Sequence, residues 1–293
     1  MNVSMNPKTI AENVKDIYSL PEVALEINQL INSESTSNSE LETLIFCDPA
    51  LTAQIMRLAN SAYFGFSKEI DTLSQAISII GRLELRNLVL ATSVISTFPG
   101  ISPKLVNMET FWFHSVACGV MARLFAVKTN STQKERFFIA GLLQAIGKLV
   151  LFMQYPNEST EVLCFTDMGE DAEIAAERRI FGFTHAELSA ELLKQWQLPA
   201  SIWQPIEFKL DPLNVNAPRK DACLLHVAVN IASKMEPCSC QPMDVHEIKP
   251  TYHTEAWNQL GLNPEMIRPA VAETSLQILD ILSIIKPEAA AIY

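Results

Sequence analysis

Signals that start α-helices recur along the whole chain, and they constrain its fold more than any other feature. Asp48-Pro49 is an N-cap followed by proline at the first helical position, and Thr184 with Glu187 has the spacing of a capping box. Behind such signals apolar residues recur three or four positions apart, whereas the alternation typical of strands is hard to find. Glycine is also scarce, at 9 of 293 residues. These patterns predict an all-α protein.

The first hundred residues divide into five predicted helices. Pro21 opens the first helix, Ser39 with Glu42 has capping-box spacing at the second, and Gly81 ends the fourth. Each helix carries an apolar stripe on one side, which predicts that the five helices pack together. They are expected to begin at about residues 21, 39, 48, 72 and 83.

A change in composition follows these helices. Pro99-Gly100 and Pro103 break the helical pattern and mark a boundary. The sequence therefore predicts an N-terminal domain over residues 1–103 and a second domain over residues 104–293.

The second domain is predicted to be helical as well. Its most apolar helix contains GLLQAIGKLVL, is capped by Thr132 with Glu135, and is apolar nearly all round, so it is expected at the centre of the core. The segment 237–250 is expected to be a surface loop. Helices are expected at about 109–128, 132–153, 158–167, 171–180, 185–196, 200–209, 219–235 and 265–285.

Charge and hydropathy limit the class of protein. The chain has 22 Lys and Arg against 33 Asp and Glu, a net charge of −11, so no overall positive field attracts nucleic acid or an anionic membrane. The N-terminus lacks the apolar core of a signal peptide, and the apolar stretches 87–98 and 137–153 are interrupted or too short to span a bilayer. We therefore expect a cytoplasmic protein that binds neither nucleic acid nor membrane.

Three segments in the N-terminal third resemble a known family. LPEVALEINQLIN, LIFCDPALTAQIMRLANSAYFG and IDTLSQAISIIGRLELRNLVL are similar to the N-terminal signature of HDOD domains, and FWFHSVA, FIAGLLQAIGKLVL and GFTHAELSAELLKQWQLP are similar to the HD part of that family. The resemblance implies a five-helix N-terminal subdomain packed on a C-terminal HD-like helical domain. The signature residues are Asp48, Pro49, Arg57, Asn60, Ser61 and Gly81.

The resemblance also implies the position of a metal site. HDOD domains are relatives of the HD phosphohydrolases, in which a His-Asp pair on a helix binds a divalent ion. Gln144 and Ala145 stand where that pair would fall, in GLLQAIGKL rather than GLLHDIGKL. A neutral amide is a weak ligand and alanine is none, while phosphoryl chemistry needs imidazole and carboxylate ligands. No bound metal, no catalytic residue and no cofactor is expected.

Other positions of the implied site can be assigned one at a time. His114 and His185 match family histidines and are retained. Phe208-Lys209 stands where some relatives have adjacent histidines, and Asn230 stands where they have a final aspartate. The site is thus expected to keep two imidazoles and no carboxylate. Taken alone, a histidine in an apolar helix is more often a hydrogen-bonded core residue than a ligand.

Helical spacing adds an expectation about the same segment. Gly141, Gln144, Ala145 and Lys148 fall at i, i+3, i+4 and i+7, so they would share one face of the helix. One possibility is a partly polar vestigial cavity in which Gln144 bonds His114 or Asn230. The other is that neighbouring side chains fill the space and nothing binds.

Charged residues outside this segment give weaker signals. Glu173 and Glu177 lie four apart near Arg178 and Arg179, which is typical of a solvated helix face. Together with Lys148, three arginines are candidates for contact with an anion: Arg57, Arg82 and Arg86.

These features favour a non-enzymatic bacterial module for signal transduction or regulation, which acts by binding other proteins. The resemblance makes two-component and cyclic-dinucleotide pathways candidates for its partners. Two alternatives stay open. One is a sensor that holds a nucleotide or another small ligand in the vestigial pocket, and the other is a residual metal-dependent phosphohydrolase. The oligomeric state is left open by the sequence.

Overall fold

The computed structural model describes residues 5–14, 21–32, 37–61, 63–66, 69–98, 100–131, 133–214, 216, 218–235 and 254–290. These residues form helices and the turns between them, with no strand among them, so the all-α prediction is confirmed. The predicted cap at Thr132 and the predicted loop at 237–250 lie outside the described residues.

The five helices predicted in the N-terminal third are present. One additional helix, α1, precedes them and had no signal strong enough to predict it; its Ile10, Ala11 and Val14 are buried, and it packs on α12 of the C-terminal part. The helices are α1 Pro7–Val14, α2 Glu22–Asn32, α3 Asn38–Phe46, α4 Pro49–Ala59, α5 Leu73–Ile80 and α6 Arg82–Ser96.

The family signature residues build the turns between these helices. The Asp48 carboxylate caps α4 by accepting bonds from two backbone N–H groups, each at 3.0 Å. Asn60 ties the end of α4 to Ile70, donating to its carbonyl at 2.9 Å and accepting from its N–H at 2.7 Å. Gly81 joins α5 to α6 with φ of +90°, a conformation that glycine adopts without strain.

The cap of α3 differs from the prediction. The capping box is formed by Ser37 and Glu40, not by Ser39 and Glu42. The Ser37 hydroxyl accepts from the Glu40 N–H at 3.2 Å, and the Glu40 carboxylate accepts from the Ser37 N–H at 2.7 Å. Two serines at the start of α3, Ser37 and Ser39, each have a glutamate three residues later, so spacing alone could not select the right pair.

The C-terminal part consists of helices packed around α7. This helix is buried along most of its length, and it contacts α8, α14 and α16. The helices are α7 Met108–Lys128, α8 Glu135–Leu143, α9 Ile146–Gln154, α10 Pro156–Leu163, α11 Glu170–Ile180, α12 His185–Gln195, α13 Ala200–Phe208, α14 Arg219–Ala232, α15 Thr254–Leu260, α16 Ile267–Ile285 and α17 Pro287–Ala290. Of these, α15 and α17 were not predicted.

The helix predicted over 132–153 is broken in its middle. The α8 helix ends at Leu143 and α9 begins at Ile146. The cause is Ser189 of α12, whose hydroxyl accepts a bond from the Gly147 N–H at 2.8 Å and so replaces a carbonyl of the helical ladder. Gly141, Gln144, Ala145 and Lys148 were predicted to share one face of a single helix. Because the helix is broken between Leu143 and Ile146, that prediction is wrong. Gly141 instead packs against the backbone of Cys118 in α7.

Two helical stretches are long and apolar enough to cross a membrane, Met108–Lys128 and Glu135–Gln154. By length and composition, the second stretch meets a criterion that residues 137–153 were expected to miss. In the folded protein, 78% of the most apolar 18-residue segment of the first stretch and 83% of that of the second are buried. Packing against neighbouring helices accounts for their apolar composition.

The N-terminal helices contact the C-terminal part through several elements. The α6 helix packs on α8, and α4 packs on α16. A buried polar cluster lies at the same junction: the Tyr63 hydroxyl, in the turn after α4, donates a short hydrogen bond to Glu135 at the start of α8. Arg123 of α7 donates to both Glu135 oxygens at 2.9 Å and lies over the Tyr63 ring. The prediction of an N-terminal helical subdomain packed on a C-terminal helical domain is confirmed.

Candidate functional site

A cavity of about 560 Å³ lies between α7, α9, α11 and the segments that follow α13 and α14. The break between α8 and α9 lies at this cavity, since Gln144 and Ala145, the two residues between these helices, both line it. All the positions of the implied metal site line this cavity, as does one lysine of the predicted anion contact: His114, Gln144, Ala145, Lys148, His185 and Asn230.

Lys209 is the residue whose importance the sequence did not reveal. It follows the last turn of α13 and is only 3% exposed. Its ammonium donates a short hydrogen bond to the Gln144 side-chain oxygen. A bond from Gln144 to His114 or Asn230 was one of the possibilities. For the side-chain oxygen it is wrong, because that oxygen accepts from the Lys209 ammonium.

The backbone of Lys209 is held in place by a second histidine. His226 of α14 uses its Nδ1 to donate to the Lys209 carbonyl at 2.8 Å. Burial lowers the pKa of the Lys209 ammonium to about 8, while the Glu170 carboxylate acts in the opposite direction. The group stays mostly charged at neutral pH.

His114 is a neutral imidazole in this environment. Burial and the positive charges of Lys209 and Lys148 lower its pKa to about 3. Its Nε2 lies 3.4 Å from the Cys118 sulfur, one helical turn further along α7. A histidine that stays neutral near two ammonium groups is a hydrogen-bonding group here, with no proton to give in the physiological range.

His185 is oriented by a buried carboxylate. Its Nδ1 donates to Glu177 at 2.9 Å, and its backbone N–H donates to the other oxygen of the same carboxylate at 2.9 Å. Burial alone would raise the pKa of Glu177, but the bonds and charge of His185 outweigh it and lower that pKa to about 2. Burial lowers the pKa of His185 itself. Such carboxylate–imidazole pairs fix the tautomer and the ring orientation of a histidine.

The acidic residues of α11 are also part of the site. Glu173 forms an ion pair with Lys148 at 2.5 Å, and Glu177 is 2% exposed. The prediction that these two carboxylates lie on a solvated face is wrong. Glu170, Glu173 and Glu177 follow one stripe of α11, and that stripe faces the cavity and His185. The expected absence of carboxylates from the site is also wrong, since Glu170 and Glu173 line the cavity with Asp171.

The donor set does not fit a divalent ion. A metal at the implied position would lie beside the Lys209 ammonium, which already occupies the Gln144 oxygen. Of the cavity carboxylates, that of Glu173 already pairs with Lys148. Among the described residues, no group of three or more His, Cys, Asp and Glu side chains is placed to hold a metal ion. Repulsion from a fixed ammonium would weaken any ion bound there.

The three arginines predicted to contact an anion lie elsewhere. None of Arg57, Arg82 and Arg86 lines the cavity, although Lys148 does. Arg86 is 6% exposed, and its guanidinium donates to the Asn87 side chain at 3.2 and 3.3 Å. Its contact with a protein side chain is typical of a structural arginine.

The chain matches a known protein family. The model of the HDOD domain matches residues 17–212, about two thirds of the chain. The chain belongs to the HDOD domain family. A curated relative from Treponema pallidum (strain Nichols), described as an "Uncharacterized protein", is 28% identical over 210 residues, which is 68% of this HDOD chain and 39% of that protein. This chain thus spans about two fifths of the length of the curated relative it matches.

Solved structures resemble the HDOD chain over nearly its whole length. A "Putative phosphohydrolase" from Shewanella amazonensis SB2B superposes with a TM-score of 0.75 at 22% identity, covering 94% of this chain and 97% of that one. An HDOD domain protein with unknown function from Geobacter sulfurreducens gives 0.68 at 23% identity, covering 95% and 97%. A "Putative signal transduction protein" from Marinobacter aquaeolei VT8 gives 0.69 at 17% identity, covering 99% and 68%. At these identities the likeness shows a shared fold.

Proposed function

We propose that this HDOD protein is a non-catalytic regulatory module that acts by binding protein partners. The observation that carries the proposal is the bond between the Lys209 ammonium and Gln144, in the middle of the positions where HD relatives bind metal. Membership of the HDOD family and a structural neighbour named for signal transduction fit a regulatory role. We further propose a cytoplasmic protein with partners in two-component or cyclic-dinucleotide signalling.

The chemical argument concerns the charge at the site. Hydrolysis of a phosphodiester by an HD-type site requires a metal ion to bind the phosphate and to activate water. Lys209 places one positive charge there, and a lysine ammonium has no coordination position for water. His114, with its pKa of about 3, does not supply a general base matched to neutral pH.

Metal content and phosphodiesterase activity test the non-catalytic part. The purified chain is expected to hold far less than one divalent ion per molecule by plasma mass spectrometry and to hydrolyse no phosphodiester. Stoichiometric metal, together with activity that His114→Ala or His185→Ala abolishes, would overturn the proposal.

Restored variants test the role of Lys209 directly. Introducing Gln144→His with Ala145→Asp returns the family pair but leaves the ammonium in place, so we expect weak manganese binding. Adding Lys209→Met removes the competing charge and is expected to strengthen manganese binding clearly. Equal manganese affinity in the two variants would show that Lys209 does not exclude the ion.

The protein-binding part requires the native cell. An affinity-tagged chain, crosslinked in living cells and purified beside a tagged unrelated helical protein, is expected to enrich a defined partner at a constant ratio. Reconstitution of that complex from purified components completes the test. If no protein is enriched over the control at any growth phase, the proposal that the chain acts through protein partners fails.

A further inference from the structure

The cavity carries two separate sets of charges that have no ion pair within the described part of the chain. The positive set is Lys209 and Lys234, from the segments that end α13 and α14. The negative set is Glu170 and Asp171, from the first turn of α11. The neighbouring Lys148 and Glu173 are already paired with each other.

Lys209 is the most informative member of these sets. Its ammonium has three N–H donors and donates to a single described acceptor, the Gln144 oxygen. The residue is 97% buried, since 3% of its surface is exposed. The Glu170 carboxylate acts on this charge but forms no ion pair with it. A buried charge without an ion pair is costly, so an anionic group that enters the cavity and pairs with it gains more than it would at an exposed lysine.

Glu170 and Asp171 determine the charge that a second group of such a ligand must have. Glu170 and Asp171 are exposed, so they can meet a group that is still partly in water. They repel additional negative charge on a ligand whose first anionic group has reached Lys209. They attract an ammonium group for the same reason.

We propose that the cavity binds a small zwitterion, with its carboxylate or phosphate group on Lys209 and its ammonium group beside Glu170 and Asp171. Free amino acids and amino-alcohol phosphates have this charge pattern. A cavity of about 560 Å³ lies within the range of small-molecule sites and exceeds what one carboxylate alone would fill. The proposal deepens the proposed function by giving the regulatory module an input, and it requires no chemistry at the site.

The proposal selects against nucleotides with several phosphates. A cyclic dinucleotide would bring two negative charges and no ammonium into a cavity lined by three carboxylates, of which Lys148 neutralises only that of Glu173. This distinction makes the ligand class testable with commercial compounds.

Isothermal titration calorimetry on the metal-free chain provides the test. The probes are the twenty L-amino acids and O-phosphoethanolamine as zwitterions, acetate and inorganic phosphate as simple anions, ethylamine as a simple cation, and cyclic di-GMP as a polyanion. At least one zwitterion is expected to bind with a stoichiometry of one, more tightly than any other class. The amino acid and phosphoethanolamine arms show whether the anionic group is a carboxylate or a phosphate.

Three variants assign the binding to the two sets of charges. Lys209→Met keeps an unbranched side chain, one atom shorter and uncharged, and is expected to weaken binding by roughly ten- to hundred-fold, the effect of one charge-assisted bond. Glu170→Gln with Asp171→Asn is expected to weaken the zwitterion and not acetate. Lys104→Met changes an exposed lysine outside the cavity and is the matched control, with unchanged affinity.

Several results would overturn the proposal. These are the absence of zwitterion binding at millimolar concentration, equal affinity for acetate and for the zwitterion, or tighter binding of cyclic di-GMP. Circular dichroism confirms that Lys209→Met is folded; if it is not, the paired change at Glu170 and Asp171 decides the question alone. Failure here leaves the metal and hydrolysis results unaffected, so the two proposals are separable.

Discussion

Lys209 places a positive charge in the protein interior, where a charged group is less stable than a neutral one. Its carbonyl is fixed by His226 and its ammonium by Gln144, so the side chain cannot reach solvent without breaking a buried contact. Burial holds the pKa of the ammonium at about 8, below the ordinary value of 10.5 for lysine. The folded protein therefore binds this proton less tightly than the unfolded chain does.

This difference predicts a pH effect on stability. Between about pH 8 and pH 10.5 the unfolded chain keeps the Lys209 proton while the folded protein loses it, so the free energy of unfolding rises with pH across this window. The rise due to Lys209 is at most about 3 kcal/mol. Urea unfolding across the window should show a steeper rise for the wild type than for Lys209→Met. The groups that act on this proton are Gln144, His114, Cys118, Lys148, Glu170 and Glu177.

Parallel slopes for the two proteins would contradict this assignment. Lys104→Met is again the control, because it removes an exposed lysine that lies outside the cavity.

The residues of the site were only partly predictable. His114, Gln144, Ala145, His185 and Asn230 could be placed through the resemblance, and all line one cavity. The partner of Gln144 could not be predicted, because Lys209 lies 65 residues away in sequence and reaches Gln144 only through the packing of α13 beside α8. The acids of α11 were misjudged for a similar reason, since a charged stripe looks the same whether it faces water or a polar cavity.

At the scale of elements, the helix starts were predicted well and their caps less well. Asp48 and Thr184 cap the helices that their spacing indicates. The break between α8 and α9 was missed because its cause, the Ser189 hydroxyl, comes from another helix. Propensity and periodicity describe a helix by its own residues, and a group inserted from outside leaves no trace in either.

The cap of α3 gives a direct contrast between sequence and structure. Ser37→Ala removes the hydroxyl that accepts from Glu40, and it is expected to cost about 1 kcal/mol of unfolding free energy. Ser39→Ala is the matched control, and it is expected to change stability by less than about 0.5 kcal/mol. Chemical denaturation measures both values, and a larger loss for Ser39→Ala would support the original prediction.

Gly147 is required by the contact between α9 and α12. A Cβ atom there would lie 2.3 Å from the His185 carbonyl oxygen and 2.8 Å from the Ser189 nitrogen. Gly147→Ala is therefore expected to destabilise the fold by about 1–3 kcal/mol, measured by denaturant unfolding. An ordinary glycine inside a helix would gain about 1 kcal/mol on the same change, so a gain would refute the close contact.

At the scale of the whole molecule, the Tyr63 cluster joins the two helical parts. Tyr63 belongs to the turn after α4, whereas Glu135 and Arg123 belong to α8 and α7. Burial and the charge of Glu135 raise the pKa of the Tyr63 hydroxyl well above its usual value, so it remains a donor. The Glu135 carboxylate thus accepts from donors on both sides of the junction.

Loss of the tyrosine hydroxyl is expected to weaken the whole fold. Tyr63→Phe removes a bond to a charged group, which is worth about 1.5–3 kcal/mol, and urea unfolding followed by circular dichroism measures the loss. Tyr155→Phe is the matched control, because its hydroxyl makes no hydrogen bond within the described residues. If the two variants are equally stable, the cluster contributes nothing to the junction.

The Lys209 ammonium beside Gln144 also differs from a metal ion in how it comes to be in the protein. An ion must be acquired after synthesis, competes with other ions in the cell, and is lost to chelators or starvation. A charge that is covalently part of the chain is delivered once per molecule by translation and cannot be exchanged. The charge in this cavity is therefore expected to be independent of the metal concentrations in the cell. Chelator treatment should leave the thermal midpoint of unfolding unchanged.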